Sequence, residues 1–171
     1  MIYYKNYESP VELLVLVSDD SALLEIHFCI QFNESVFSEK YRKNNDHPIL
    51  VETERQLDEY FRGKRTRFDI PVKLSGTDFQ KKVWNELRKI PFGTTISYQK
   101  IAKEVGGKNK ARAVGLANKK NPVPIIIPCH RVISKDGSLG GFSGSVPIKR
   151  YLIELEKIVL DSRKKKNGLE V

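Results

Sequence analysis

Residues 97–120 read SYQKIAKEV-GG-KNKARAVGLANKK. Ser97 suits the cap of a short helix that turns Ile101, Ala102 and Val105 inward. Gly106-Gly107 permits a tight turn. Asn109 suits the cap of a second helix with Ala113, Val114 and Ala117 on its inner side. Two short helices joined by a glycine turn form a helix-turn-helix. On the second helix Ala111, Gly115 and Asn118 mark one side, beside Arg112 and Lys119. Recognition helices that read a major groove usually carry long polar side chains. A face of small residues suits close backbone approach in a narrower groove, or tight packing on a neighbouring helix.

The charge is concentrated in the same region. Lys81 to Lys120 holds eleven Lys or Arg against Glu86 and Glu104, which accounts for the whole +9 of the chain. The remaining residues balance. One basic segment points to a polyanion, most simply nucleic acid, with a solvated lysine face as the plainer alternative. At 171 residues the chain fits one domain or two small ones, and its 40% apolar and 30% charged content excludes collagen and low-complexity disorder. Cys29 and Cys129 make no disulfide framework, and Cys29 with His27 and His47 lacks the second cysteine of a zinc set. Met1 to Val17 lacks the layout of a leader, and no run approaches the ~18 apolar residues of a membrane span. These features predict a soluble, cytoplasmic protein.

Toward the N-terminus, residues 11–17 and 22–30 read as a β-hairpin around Ser18-Asp19-Asp20-Ser21, with Ala22, Leu24, Ile26, Phe28 and Ile30 on one face. Residues 33–49 read as irregular. A helix follows over Glu52–Arg62, stopped by Gly63, and Phe68–Leu74 suits an edge strand because of Pro71. Thr77 and Gln80 form a capping box before a helix to about Ile90. The pattern predicts an α/β domain over 1–75 (a small sheet plus a helix), then a mainly helical domain over 76–160 with the helix-turn-helix. A flexible basic tail is expected over 161–171.

Toward the C-terminus, Asn121-Pro122-Val123-Pro124 breaks the helix and Ile125-Ile126-Ile127 leads into Pro128-Cys129-His130-Arg131. A buried cysteine is usually an inert small hydrophobe. A neighbouring histidine and arginine can instead favour the thiolate. The last helix, about Pro147 to Leu160, carries an apolar arc of Ile148, Tyr151, Leu152, Leu155, Ile158 and Val159, with Glu156 at its edge. That glutamate either reaches water or, if buried, needs a partner, which His130 could supply in a Cys–His–Glu relay.

Pro128-Cys129-His130-Arg131 resembles the O6-alkylguanine-DNA alkyltransferases. So do Ile96-Ser97-Tyr98-Gln99, Ala111 to Gly115, Asn121 to Ile125, Phe142-Ser143-Gly144 and the helix with Glu156, together spanning residues 76–158. The resemblance implies direct-reversal DNA repair: stoichiometric, irreversible transfer of the alkyl group from O6-alkylguanine, and more weakly O4-alkylthymine, in duplex DNA to Cys129. It implies a monomer, no cofactor, and nucleotide flipping through the minor groove with Arg112 in the vacated place. Lys110, Ala111, Ala113 and Gly115 would complete the DNA contacts. Tyr98 would rotate the phosphate and donate to the base. Asn121 would act as a hinge, while Gly140, Phe142 and Ser143 would wall the guanine pocket. The carbonyls of Cys129 and Val132 would accept from the guanine amino group, and Glu156 would orient His130, which deprotonates Cys129 through a water. An ionised, reachable sulfur at the pocket mouth is expected. Many members carry tyrosine at Phe142, so this chain keeps the aromatic wall without the hydroxyl. Competing readings are a non-catalytic damage binder, a helix-turn-helix regulator and a Cys–His hydrolase.

Overall fold

The computed structural model describes residues 1–28, 33–140 and 142–168. The chain divides into two compact units, Met1–Ser75 and Gly76–Val171.

In the first unit a sheet in the order β3-β2-β1-β4 is built from β1 (Tyr3–Glu8), β2 (Leu13–Ser18), β3 (Leu23–Phe28) and β4 (Arg42–Lys43). The expected hairpin is β2–β3, antiparallel, with Leu14 opposite Phe28. The Asp19 carboxylate closes its turn by accepting from the backbone N–H groups of Ser21 and Ala22, each at 2.8 Å. A register shift at Val17/Ser18 buries Leu23 and leaves Leu24 half-buried, so the alternation expected to start at Ala22 breaks there. Leu14, Val15, Leu16 and Val17 are all fully buried because β2 lies centrally and is covered on both faces. Cys29 and the rest of residues 29–32 lie outside the described residues.

The reading of residues 33–49 as irregular is overturned. Helix α1 (Glu34–Lys40) is capped by Asn33, and β4 pairs in parallel with β1. Helix α2 runs Pro48–Phe61, a turn earlier than Glu52, because Pro48 has a backbone already set for a first helical residue. Gly63, at φ 72°, follows its end. The expected edge strand over Phe68–Leu74 reduces to one bridge between Leu23 and Val72. Pro71 there offers only its carbonyl, to Leu23 N at 2.8 Å.

In the second unit α3 (Asp78–Leu87) starts at the Thr77/Gln80 capping box. The Trp84 indole N–H donates to the Ala117 carbonyl at 2.8 Å and ties α3 to the helix that holds Ala117. Short parallel strands β5 (Ile96–Ser97) and β6 (Val132–Ile133) flank the helix-turn-helix. Its helices are α4 (Tyr98–Val105), capped by Ser97, and α5 (Ala111–Lys119). Asn109 is not the cap of α5. A single 3-10 turn over Lys108–Lys110 leads into the helix, with Lys110 N donating to Gly107 O at 2.9 Å, so the first turn forms without a side-chain cap. Gly107, at φ 125°, makes this entry possible.

The last helix, α6, spans Val146–Lys166 and continues past the expected end near Leu160, so most of the expected flexible tail is helical. Arg163 to Lys166 form its last turn, where good helix formers of positive charge complement the carbonyl end of the helix dipole. The buried line of α6 is Ile148, Lys149, Leu152 and Glu156, whereas Tyr151 and Ile158 are exposed. The helix is thus rotated from the expected arc so that two ionisable groups seven residues apart face inward. No helix among the described residues is long and apolar enough to cross a membrane.

Candidate active site

The segment leading to Cys129 is held in an unusual backbone path. Ile125 adopts φ 74°, an outlier for a β-branched residue. Asn121 braces the path by donating from Nδ2 to Ile127 O at 2.7 Å and accepting from Val123 N at 3.0 Å. Cys129–Arg131 then form a 3-10 turn, with all three side chains buried.

Cys129 is fully buried. Burial pushes its thiol above the ordinary value, while the side chains of Asn121 and Ser143 and the charge of Lys149 pull the other way. The expectation of an ionised sulfur exposed at a pocket mouth is therefore corrected: at rest the thiol is protonated and covered. His130 and Arg131 do not supply its positive neighbour, since both turn to Glu156.

Glu156, on α6, is 1% exposed. Its Oε1 lies 2.6 Å from His130 Nε2, and Arg131 grips it twice at 2.9 Å, through Nε to Oε2 and Nη2 to Oε1. Gly93 N adds a backbone bond at 3.1 Å. Burial alone would raise the carboxyl pKa, but the bonds from His130 and Arg131 hold it well below the usual carboxylate range. Burial keeps His130 neutral by lowering its pKa, against the pull of Glu156. A neutral imidazole beside an ionised carboxylate carries its hydrogen on Nε2. Its Nδ1 is left as a buried acceptor with no partner among the described residues.

Lys149 is fully buried on the same helix line. Its ammonium donates to Val132 O at 2.6 Å, Gly140 O at 2.5 Å and the Tyr98 hydroxyl at 3.3 Å. Burial lowers its pKa to about 8, partly countered by Cys129. Tyr98 itself donates to Gly140 O at 2.6 Å, and burial raises its pKa to about 12.

Outside this cluster lies a groove of about 480 Å³. Tyr98, Arg112, Gly115, Leu116, Lys119 and Lys135 line it, and Gly140 links it to the buried cluster.

Two family models account for most of the chain. The 6-O-methylguanine DNA methyltransferase ribonuclease-like domain matches residues 2–74, and the DNA binding domain of the same protein matches residues 78–158. The methylated-DNA–protein-cysteine methyltransferase of Methanosarcina acetivorans is 40% identical over 155 residues, 91% of this chain and 98% of its own. The chain belongs to the methylated-DNA–protein-cysteine methyltransferase family. The crystal structure of Mycobacterium tuberculosis O6-methylguanine methyltransferase superposes with a TM-score of 0.85 at 41% identity, covering 92% of this chain and 94% of that one. A second structure, Mycobacterium tuberculosis OGT in complex with DNA, gives 0.81 at 39%, with the same two coverages.

Against the family pattern, the structure gathers Cys129, His130, Glu156, Tyr98, Asn121, Val132 and Ser143 around one cluster, with Gly140 and the buried Phe142 beside it. Gly141 lies outside the described residues. Arg112 and Lys110 are exposed, and Ala111, Ala113 and Gly115 are half-buried. Asn118, read as sharing one side with Ala111 and Gly115, is fully buried and donates to Cys129 O at 3.1 Å, because it follows Val114 and Ala117 on the inner arc of α5. The carbonyls of Cys129 and Val132 thus already have partners, Asn118 and Lys149. Cys129 O also accepts from the backbone N–H of Val132. Lys149 was the residue sequence reasoning missed. Its spacing of seven from Glu156 puts both on one helix face and was a usable signal.

Proposed function

We propose that the protein repairs O6-alkylguanine in duplex DNA, and O4-alkylthymine more weakly, by moving the alkyl group onto Cys129 in one irreversible event. The observation that carries this reading is the buried His130–Glu156 pair beside Cys129, with His130 Nδ1 left to accept a proton. His130 takes the thiol proton through a bridging water, and Lys149 is the positive neighbour of the resulting thiolate. Sulfur attacks the alkyl carbon in line, the S–C bond forms as the bond to O6 breaks, and guanine leaves with a proton supplied to it by hydrogen-bond donors. Tyr98 and Ser143 are those donors. The product is a thioether, stable to water, so one event uses up the protein. The proton that His130 takes from the thiol makes up for the one the donor gives guanine, so thiol plus O6-alkylguanine become thioether plus guanine and no cofactor is needed.

The reacting carbon lies inside a stacked duplex, so the nucleotide must turn out, and the Tyr98–Gly140 bond must open to admit it. Arg112 takes the vacated place as α5 enters the minor groove, with Lys110, Ala111, Ala113 and Gly115 against the backbone. Asn121 holds the acceptor turn, and Phe142 walls the base. A monomer in the reducing cytosol, where a free thiol persists, fits this chemistry. Duplex DNA carrying labelled O6-methylguanine tests the reading. One label per protein on Cys129 is expected, lost in Cys129→Ala with DNA binding retained. Repeated turnover, or binding without transfer, would refute it.

A further inference from the structure

The outward stripe of α5 differs from a plain small-residue face. With Asn118 turned inward, the stripe is Arg112, Leu116 and Lys119, spaced four and three residues apart. Leu116 is 59% exposed. It lines the groove beside Tyr98 and Arg112.

Its surroundings make it anomalous. From Val105 to Lys135 the chain has no acid, while Lys108, Lys110, Arg112, Lys119, Lys120, Arg131 and Lys135 add positive charge. Lys108, Lys110, Arg112, Lys119, Lys120 and Lys135 are exposed. A leucine there has no partner in its own helix row, since Arg112 and Lys119 are both charged. A partner that suits the surrounding cations must be anionic, and one that suits Leu116 must also offer apolar surface a few ångströms inside the charge. Duplex DNA has that construction: phosphates line the groove edges, and the faces of the deoxyriboses and the base edges lie between them. Four residues along an α-helix span about 6 Å, close to the width of a minor groove. A side chain one turn from Arg112 therefore reaches nucleotides adjoining the one Arg112 replaces.

We infer that Leu116 is a second, apolar wedge of the recognition helix, which packs into the DNA minor groove one helical turn from Arg112. It acts on the duplex and not on the reacting atoms, so it separates the duplex reaction from the reaction of a free base. The inference rests on the proposed repair of duplex DNA. Leu116 contributes area and shape, whereas Arg112, Lys119 and Lys135 contribute charge. Loss of the leucine side chain then lowers duplex affinity without changing the number of ions displaced.

The test uses the full chain with Leu116→Ala and Leu116→Met, since an exposed position tolerates both. Fluorescence anisotropy with an undamaged duplex across a salt series gives affinity and salt slope, and single-turnover labelling with free O6-methylguanine base gives the intrinsic reaction. Leu116→Ala should bind duplex about tenfold more weakly, with an unchanged salt slope and an unchanged rate on the free base. Leu116→Met should bind as the parent does. Parental duplex affinity in Leu116→Ala would overturn the wedge, and so would an equal loss on the free base, which marks a folding defect. A parent chain that reacts with the free base but does not bind duplex DNA would instead overturn the repair reading on which the wedge rests.

Discussion

Lys149 should destabilise the protein near neutrality, and the penalty should disappear in alkali. The ammonium is fully buried, and its three acceptors are two carbonyls and a hydroxyl. Burial lowers its pKa from 10.5 to about 8. The folded chain therefore binds this proton less tightly than the unfolded chain does. The stability deficit is complete below about pH 8, shrinks as pH rises toward about 10.5 and vanishes above it. At about 1.4 kcal/mol per tenfold, the full deficit is about 3 kcal/mol, of which about 2 kcal/mol is recovered between about pH 7 and about pH 9.5. The measurement belongs in a Cys129→Ala background, which removes the titrating thiol; because Cys129 opposes the lowering, its loss only deepens the effect. Urea unfolding of Cys129→Ala and Cys129→Ala/Lys149→Met is followed through Trp84, the single tryptophan, which reports on the second unit. The lysine form should gain about 2 kcal/mol on the methionine form over that pH interval. Parallel pH profiles would show that Lys149 is not held as a desolvated cation and would remove it as the neighbour of the thiolate.

Arg112→Ala should slow repair of a lesion in duplex DNA by at least about tenfold while leaving reaction with the free modified base unchanged, as single-turnover labelling of both substrates would show. Glu156→Gln removes the charge that Arg131 and His130 share, so urea unfolding should show a loss of about 3–5 kcal/mol, and transfer to Cys129 should fall in the fraction that stays folded. Asn121→Ala takes its partner from Val123 N and one of two donors from Ile127 O, which keeps Cys129 N at 2.8 Å; thermal unfolding should reveal a cost of about 1–3 kcal/mol.

Local chemistry explains which parts of the fold were legible in the sequence. The capping box at Thr77, the Ser97 cap and the hairpin turn at Asp19 each depend on residues within three positions, so the chain announces them. Strand β4 has two residues and exists only because β1 offers it an edge, so no pattern within Arg42–Lys43 reveals it. The pairing of His130 with Glu156 was legible from residue type and helical angle. The protonated state of Cys129 was not, because burial outweighs its neighbours and burial is a property of the assembled unit. The inward turn of Asn118 depends likewise on a distant carbonyl, that of Cys129.

The covered sulfur also bears on chemical fidelity. A protonated thiol with no solvent exposure reacts slowly with peroxides and soluble electrophiles, which select thiolates they can touch. The knot of Tyr98, Lys149 and the Gly140 carbonyl joins the outer groove to the buried cluster, so a visitor must offer hydrogen bonds good enough to replace those it breaks. An alkylating agent without donors and acceptors cannot do so. The resting sulfur is thereby kept chemically fresh through long idle periods by contacts that any visitor has to undo.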